Sequence, residues 1–295
     1  MRRIIAIGDI HGAIGSLLEI TQRLGLVDGS LDLAAEGSDL IFIGDLCDRG
    51  ANSKDIYELV MRWQEQAPRL DSGVWFLIGN HEAMNIFGMR HYTTPEEYLS
   101  YDGESVAAGE RARAGAFAPG GWLYEWLVRQ RAMLKLGGFI FAHGDLPPTL
   151  ASWTVEEIDS RVMEALRLRA SGRGGELPAP LFSPEQSVLW CRDAQGGRGR
   201  RYAAVLRRFL AANNATGYIC GHTPSEDGLF HLRHGGRYLC IDTAMTFECR
   251  GIGRKSALFI EEDHNSYAAY FTGGEVVYHK VDLAFESLSG RDEAR

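Results

Sequence analysis

Five short segments end apolar runs with glycine and a residue able to hold a cation: Gly8-Asp9-Ile10-His11-Gly12, Gly44-Asp45-Leu46-Cys47-Asp48-Arg49-Gly50, Gly79-Asn80-His81-Glu82, His143-Gly144-Asp145 and Gly221-His222-Thr223. Asp9 and His11 stand two apart just past a predicted strand, so a carboxylate and an imidazole can point the same way and grip one cation. Alone, such a pair reads as a turn carboxylate beside an incidental histidine; its recurrence at successive strand ends makes the case. Asp45 adds a carboxylate, which can bridge two metals where an imidazole cannot. Asn80, His143 and His222 contribute neutral oxygen and nitrogen donors at further strand ends. This mixed donor set suits two borderline divalent ions, manganese first with iron and zinc as alternatives, better than magnesium or calcium, which prefer oxygen alone.

Two such ions, about 3.5–4 Å apart, would share a water, lower its pKa and direct the hydroxide at phosphorus. The departing alkoxide or phenoxide then needs a proton. His81 adjoins Asn80 without being needed as a ligand, which makes it the candidate general acid, and Asp48 could keep it protonated through a hydrogen-bonded ion pair. Arg49 follows Asp48 directly and presents a planar fork suited to a phosphate dianion.

The elements that must position these residues are legible as well. Residues Ile4 to Ile7, Leu40 to Ile43, Val74 to Ile78, Phe139 to Ala142 and Gly217 to Cys220 are nearly continuous apolar runs, the pattern of strands buried on both faces. Helical spacing runs over Ile14 to Leu24, Lys54 to Gln66, Trp122 to Leu136, Thr154 to Arg169 and Arg201 to Ala212. The alternation predicts an α/β sheet layered with helices. Further on, Arg237 to Ile241, Ser256 to Glu262, Ser266 to Thr272 and Glu275 to Val281 read as strands joined by turns, which suggests a second sheet packed on the first. One catalytic domain over residues 1–286 is expected, with insertions at about 92–120 and 170–184 and a C-terminal tail over 287–295. Loops of that length act more often as functional covers than as connectors.

Composition bounds the function. The 295 residues are 45% hydrophobic and 24% charged, ordinary for a globular protein with a sizeable core. A formal charge of −8 argues against nucleic acid or an anionic membrane as the partner. Arg198, Arg200, Arg201, Arg207 and Arg208 gather positive charge locally, read first as the solvated face of a helix. Apolar runs are too short to span a bilayer, and Asp9 interrupts what would otherwise imitate a signal peptide. Five cysteines without CxxC spacing indicate neither a disulfide framework nor a thiolate zinc site, so a reducing cytoplasm is expected.

In order, the motifs GDIHG, GDLCDRG, GNHE, HGD and GHT closely resemble the metallophosphoesterases of the phosphoprotein phosphatase type, within the calcineurin-like phosphoesterase superfamily, over about residues 4–223. The resemblance implies a double β-sheet sandwich flanked by helices in four αββα layers. It also implies that Asp9, His11 and Asp45 hold one metal, that Asp45, Asn80, His143 and His222 hold the other, and that His81 and Asp48 act as a pair. A second phosphate-binding arginine belongs to the pattern, and the Trp-x-Arg of Trp190-Cys191-Arg192, similar to the Shewanella-like phosphatase branch, nominates Arg192. Cys47 stands where valine is usual and Asp145 where the second glycine of HGG is usual. Cys47 reads as a small apolar filler or an oxidation-sensitive site. Asp145 reads as a loop-capping carboxylate or as an acceptor that orients His143, and Asp242 invites the same two readings.

The expected activity is therefore a phosphomonoesterase acting on phosphorylated proteins, at serine, threonine or tyrosine, or on a small phosphate ester. The main rival is a dinucleoside polyphosphate hydrolase of the symmetrical diadenosine tetraphosphatase type, whose members carry GNHD where this chain has Glu82. A nuclease or phosphodiesterase on this scaffold would lack Asp48-Arg49-Gly50, and a binding module would show degenerate ligands.

Overall fold

A computed structural model describes residues 2–170, 183, 186–194, 199–246, 253–272 and 274–285 of the chain. Strands β1 (Arg3–Ile7), β2 (Ser38–Phe42) and β3 (Gly73–Phe76) pair in parallel. Helices α1 (Ile14–Arg23) and α2 (Ser53–Gln66) make the crossovers that parallel pairing requires. Then come α3 (Asn80–Ile86), α4 (Pro95–Tyr101), α5 (Val106–Phe117), α6 (Trp122–Leu127), β4 (Met133–Leu136), β5 (Phe139–Ala142), α7 (Val155–Ala170), α8 (Gly199–Ala212) and β6 (Gly217–Cys220). The described residues end with β7 (His231–Arg233), β8 (Tyr238–Cys240), β9 (Ser256–Ile260), β10 (Ser266–Thr272) and β11 (Glu275–Lys280).

Two sheets result, ordered β11-β10-β9-β1-β2-β3 and β4-β5-β6-β8-β7. Alternate residues of each central strand enter different cores, as a period of two dictates. Ile4, Ala6, Ile41 and Ile43 pack against Phe139, Phe141, Ile219 and Leu239 between the sheets. Ile5, Ile7, Leu40 and Phe42 join a second cluster containing Leu17, Ile20, Ile56, Val60 and Trp63 of α1 and α2, while Ile140, Tyr218 and Cys220 lie in it with Val162, Leu206 and Phe209 of α7 and α8. The fold is thus the four-layer αββα sandwich. Both faces of these strands are buried, which is why their sequences are apolar runs rather than alternating patterns.

The carboxyl ends of β1, β2, β3, β5 and β6 each deliver one motif, and β8 ends the same way with Asp242. Three expectations need correction. The helical pattern over Trp122 to Leu136 breaks after α6; Met133–Leu136 instead pairs antiparallel with β5 through Gly137 and Gly138, both at positive φ (58° and 85°). A two-glycine turn between short apolar runs is a hairpin signal that outranks helical spacing. The second sheet is built from β4 to β8, whereas β9 to β11 extend the first sheet through antiparallel pairing of β9 with β1. Strand pairing partners are tertiary choices that local pattern does not specify. Finally, residues 92–120 are not a loop: α4 and α5 occupy them, with Ser105 and Thr94 capping their first turns. Most of the second insertion, 171–182 and 184, lies outside the described residues, as does the 287–295 tail. Arg201, Arg207 and Arg208 are exposed on α8, the solvated face the charge run suggested, while Arg198 lies outside the described residues. No helix among the described residues is long and apolar enough to cross a membrane.

Candidate active site

Motif glycines make the space in which the carboxylates sit. A Cβ on Gly79 would lie 2.1 Å from Asp45 Oδ1, and one on Gly221 would lie 2.3 Å from Asp9 Oδ1. Between these close approaches the backbone turns sharply: His11, Asp45, Asp48, Arg49 and His222 all adopt left-handed φ, between 48° and 68°. Non-glycine residues hold that conformation only where surrounding structure over-determines it, and such residues cluster at functional sites.

Glu82 is one of the determinants. Fully buried at the third position of α3, it accepts the N–H groups of Gly79 (2.8 Å), Asp45 (3.0 Å) and Leu46 (2.9 Å) and the Tyr57 hydroxyl (2.7 Å). The carboxylate thereby ties the second motif to the third. It lines neither pocket of the cleft and acts on loop geometry.

Eight of the ten sequence-nominated residues line one cleft, and the other two, Asp48 and His143, contact lining residues, His81 and Asp45 respectively. Asp45 is the hub. Its Oδ2 lies 3.6 Å from His11 Nε2, 3.3 Å from His143 Nε2 and 3.9 Å from His81 Nε2. Asp9 Oδ2 is 3.9 Å from His11 Nε2, and Asn80 Oδ1 is 2.9 Å from His143 Nε2. Asp9 is steadied by the His222 N–H, 3.1 and 3.2 Å from its two oxygens. Asp45, His143 and His222 form one cluster able to hold a cation, and His11 and Asp45 fall in another with His81.

The partners of the imidazoles sort them chemically. His11 Nδ1 donates to the Cys47 carbonyl (2.9 Å), His143 Nδ1 to the Ile43 carbonyl (2.7 Å) and His222 Nε2 to the Trp190 carbonyl (3.1 Å). In each the other nitrogen faces the cluster, the arrangement that orients metal-binding histidines, and on His143 that nitrogen would exchange a proton shared with Asp45 and Asn80 for a cation. His81 differs, because its Nδ1 meets the Asp48 carboxylate at 2.7 Å. That bond anchors the ring on a side chain outside the ligand set and fixes its orientation. The donor set fits a dinuclear site on chemistry as well as on distance: three tautomer-fixed imidazoles, two carboxylates and one amide oxygen.

Electrostatics follow from burial. Burial and the neighbouring His81 push His11 down to about 3. Burial acts in the same direction on His143, but the Asp45 and Asp9 carboxylates overcome it and lift that ring to about 10. Burial, then the Asp242 carboxylate, raises Asp9 well above the usual carboxylate range. So much negative charge confined in one place is the imbalance that divalent cations would relieve.

Around this centre, Arg49 places its guanidinium over the Tyr92 ring (5.5 Å), and its Nη2 is 3.4 Å from His81 Nε2. Arg192, exposed on the segment after Trp190, lines the same cleft. Asp145 explains how that segment is held. Its Oδ2 accepts the Ala194 N–H at 2.7 Å, its Oδ1 accepts the Tyr238 hydroxyl at 2.6 Å, and its own N–H donates to the Cys191 carbonyl at 2.9 Å. It is therefore the loop-capping carboxylate; His143 is oriented by Ile43 instead. Burial pushes Asp145 up to about 6. Asp242 accepts the Ala244 N–H at 2.9 Å, the turn role, while also lining the cleft. Cys47 is wholly buried beside Glu82 and Asn85, and burial pushes its thiol well up, which fits the apolar filler and disfavours a reactive thiolate.

Sequence reasoning missed Thr93, Glu97 and Arg113, which converge on Asp48 from the 92–120 insertion. Their polar surroundings gave no sign of burial, yet Glu97 and Arg113 are 0% and 1% exposed.

Comparison with known proteins places this geometry. The chain is 27% identical to Shewanella-like protein phosphatase 1 of Plasmodium berghei over 252 residues, covering 83% of this chain and 67% of that protein. It is 25% identical to Shewanella-like protein phosphatase 2 of Arabidopsis thaliana over 287 residues, covering 84% and 72%. Among solved structures, the cold-active protein-tyrosine phosphatase of a psychrophilic Shewanella superposes with a TM-score of 0.77 at 18% identity, covering 96% of this chain and 81% of that one, a likeness of fold. The calcineurin-like phosphoesterase family matches residues 2–226, a stretch that contains all five motifs. With the αββα sandwich and the histidine and carboxylate cluster at its strand ends, that match identifies the chain as a member of the calcineurin-like phosphoesterases.

Proposed function

We propose that the protein is a metal-dependent protein phosphatase, a phosphomonoesterase acting on phosphorylated serine, threonine or tyrosine side chains. The observation that carries this reading is the pairing of a carboxylate-bonded histidine, His81, with two arginines, Arg49 and Arg192, around a cleft floored by the candidate metal ligands. A terminal phosphate has three free oxygens to satisfy, and two guanidinium forks plus cations match that need. Asp9, His11 and Asp45 would hold one ion; Asp45, Asn80, His143 and His222 would hold the other. Mixed imidazole and oxygen donors favour manganese, with iron or zinc next. When bound, the pair supplies an activated water and stabilises charge on the phosphoryl group.

The chain's own residues do the rest. Arg49 and Arg192 grip the phosphate oxygens and orient phosphorus in line. His81 gives its proton to the leaving oxygen, and Asp48 holds the ring so that Nε2 faces the cleft. Residues 1–286 act as one catalytic domain in this reading, and the buried thiols Cys47, Cys191, Cys220 and Cys240 suit a reducing cytoplasm.

The test is metal removal followed by rate comparison on phosphoserine, phosphothreonine and phosphotyrosine peptides and on diadenosine tetraphosphate. Turnover of a phosphopeptide restored by manganese is expected. Failure of every divalent ion to restore turnover would sink the phosphatase, and faster hydrolysis of the dinucleotide would replace it with the rival reading. Arg192→Ala should raise KM by about tenfold or more, the worth of one charge-assisted contact, and weaken inhibition by inorganic phosphate in parallel. Unchanged KM and phosphate inhibition would remove Arg192 from the site.

A further inference from the structure

We propose that the α4–α5 insertion exists to fix the proton donor, and that Arg113 is a positioning residue acting on His81 through Asp48. The proposal rests on the phosphatase reading and adds to it a device outside the five motifs.

Asp48 is the only link between His81 Nδ1 and the scaffold among the described contacts, and it sits on a left-handed turn (φ 63°). A carboxylate on such a turn could rotate about its χ angles unless each oxygen is anchored. All of its acceptor sites are taken. Oδ2 receives His81 at 2.7 Å and the Asn85 amide at 2.9 Å; Oδ1 receives the Thr93 hydroxyl at 2.8 Å and Arg113 Nη2 at 2.9 Å. An ionised carboxylate offers about four lone-pair positions, so this one is saturated and its orientation is determined.

Arg113 is the keystone of that set. Its Nη1 donates to Asn85 Oδ1, which turns the Asn85 amide so that its NH2 faces Asp48. Its Nε and Nη2 donate to Glu97 Oε1 at 3.1 and 2.9 Å, and the same Glu97 oxygen accepts the Asp48 backbone N–H at 3.3 Å and the Ser53 hydroxyl. One guanidinium therefore grips the Asp48 side chain directly, its amide neighbour through Asn85 and its backbone through Glu97. The planar, five-donor fork is what makes three simultaneous grips possible, and lysine could not reproduce them. Aromatic faces hold the fork in place, with Phe117 at 4.8 Å and Tyr101 at 5.7 Å from the guanidinium carbon. Thr93, Glu97 and Arg113 all come from the insertion, whose outer residue Tyr92 also packs against the His81 ring, tilted at 53° with centroids 5.0 Å apart. The segment braces the acid from behind.

A loosened acid should be felt according to how badly the leaving group needs a proton. Manganese-loaded wild type, Arg113→Gln and Thr93→Val are to be assayed on an alkyl ester, a phosphoserine peptide, and on 2,4-dinitrophenyl phosphate, whose leaving group departs unaided. Metal content and circular dichroism accompany each. Arg113→Gln is expected to lower kcat on the peptide by about 10–100-fold, the usual cost of removing a supporting partner, while kcat on the dinitrophenyl ester and both KM values stay within about threefold. Thr93→Val, a change at a part-exposed loop that spares the buried network, should show the same selectivity more weakly and carries the test alone if Arg113→Gln does not fold. Equal losses on both esters, or no loss on either, would overturn the proposal. A wild type inert on both esters would instead remove the phosphatase reading beneath it.

Discussion

Asp45→Asn is expected to abolish turnover, lowering kcat by about 10³-fold or more, the upper end of what loss of one electrostatic element costs, and to leave the protein short of bound metal. The substitution is nearly isosteric, so its effect is chemical. Asp45 Oδ1 accepts the His81 backbone N–H at 3.0 Å, while Oδ2 faces the Nε2 atoms of His11 and His143. That backbone donor dictates which way an asparagine would turn: its carbonyl oxygen must meet the N–H. The NH2 group then points at the position where a bridging oxygen is required, with donors instead of lone pairs. An amide turned the other way would set a donor against a donor. Either state removes the bridge and one negative charge from a cluster in which His143 is lifted to about 10 by the carboxylates around it. Elemental analysis together with single-turnover rates checks this. A variant that retained both metal equivalents and wild-type kcat would exclude Asp45 as the shared ligand.

That hub was legible in the sequence for a physical reason. A strand buried on both faces must be an unbroken apolar run, a motif that starts at its carboxyl end must be contiguous with it, and glycines must stand where carboxylates leave no room for a Cβ. Ile4 to Ile7 followed by Gly8-Asp9, or Phe139 to Ala142 followed by His143, satisfies each condition within a few residues. The same logic extends to Cys240-Ile241-Asp242, where β8 repeats the pattern. What was not legible depends on contacts between distant residues. Whether β9 joins the first sheet or the second is decided by its pairing with Ile4 to Ala6, more than 250 residues earlier. Arg113 and Glu97 look like surface residues of polar helices, because nothing local reveals that they share the interior with Asp48, 65 and 49 positions away. Met133 to Leu136 departs from its local pattern for the opposite reason: helical spacing of apolar residues is present, and the Gly137-Gly138 turn overrides it.

His81 is where two readings of the cluster part, and His81→Asn separates them. Its Nε2 lies near Asp45 Oδ2, close enough for His11, Asp45 and His81 to be counted as one potential cation site. As a ligand, His81 would be lost together with metal. As the proton donor, it would be lost with metal retained. The hydrogen bonds favour the second reading, because the three proposed ligand histidines each anchor one ring nitrogen on a backbone carbonyl and turn the other toward the cluster, while His81 anchors its Nδ1 on the Asp48 carboxylate, a group outside the ligand set. Arg49 Nη2 at 3.4 Å places the same Nε2 beside the guanidinium expected to bind the phosphate, which is where a proton for the leaving oxygen is wanted. The expected result is full metal occupancy, nearly unchanged KM, and a fall in kcat on phosphoserine peptide of about 10²–10⁴-fold, the range for a general acid. On 2,4-dinitrophenyl phosphate the loss should shrink to a few-fold, since that leaving group needs no proton; Arg113→Gln should reproduce the selectivity at smaller amplitude. Loss of metal from His81→Asn, or an equal fall on both esters, would move His81 from the acid to the ligand shell.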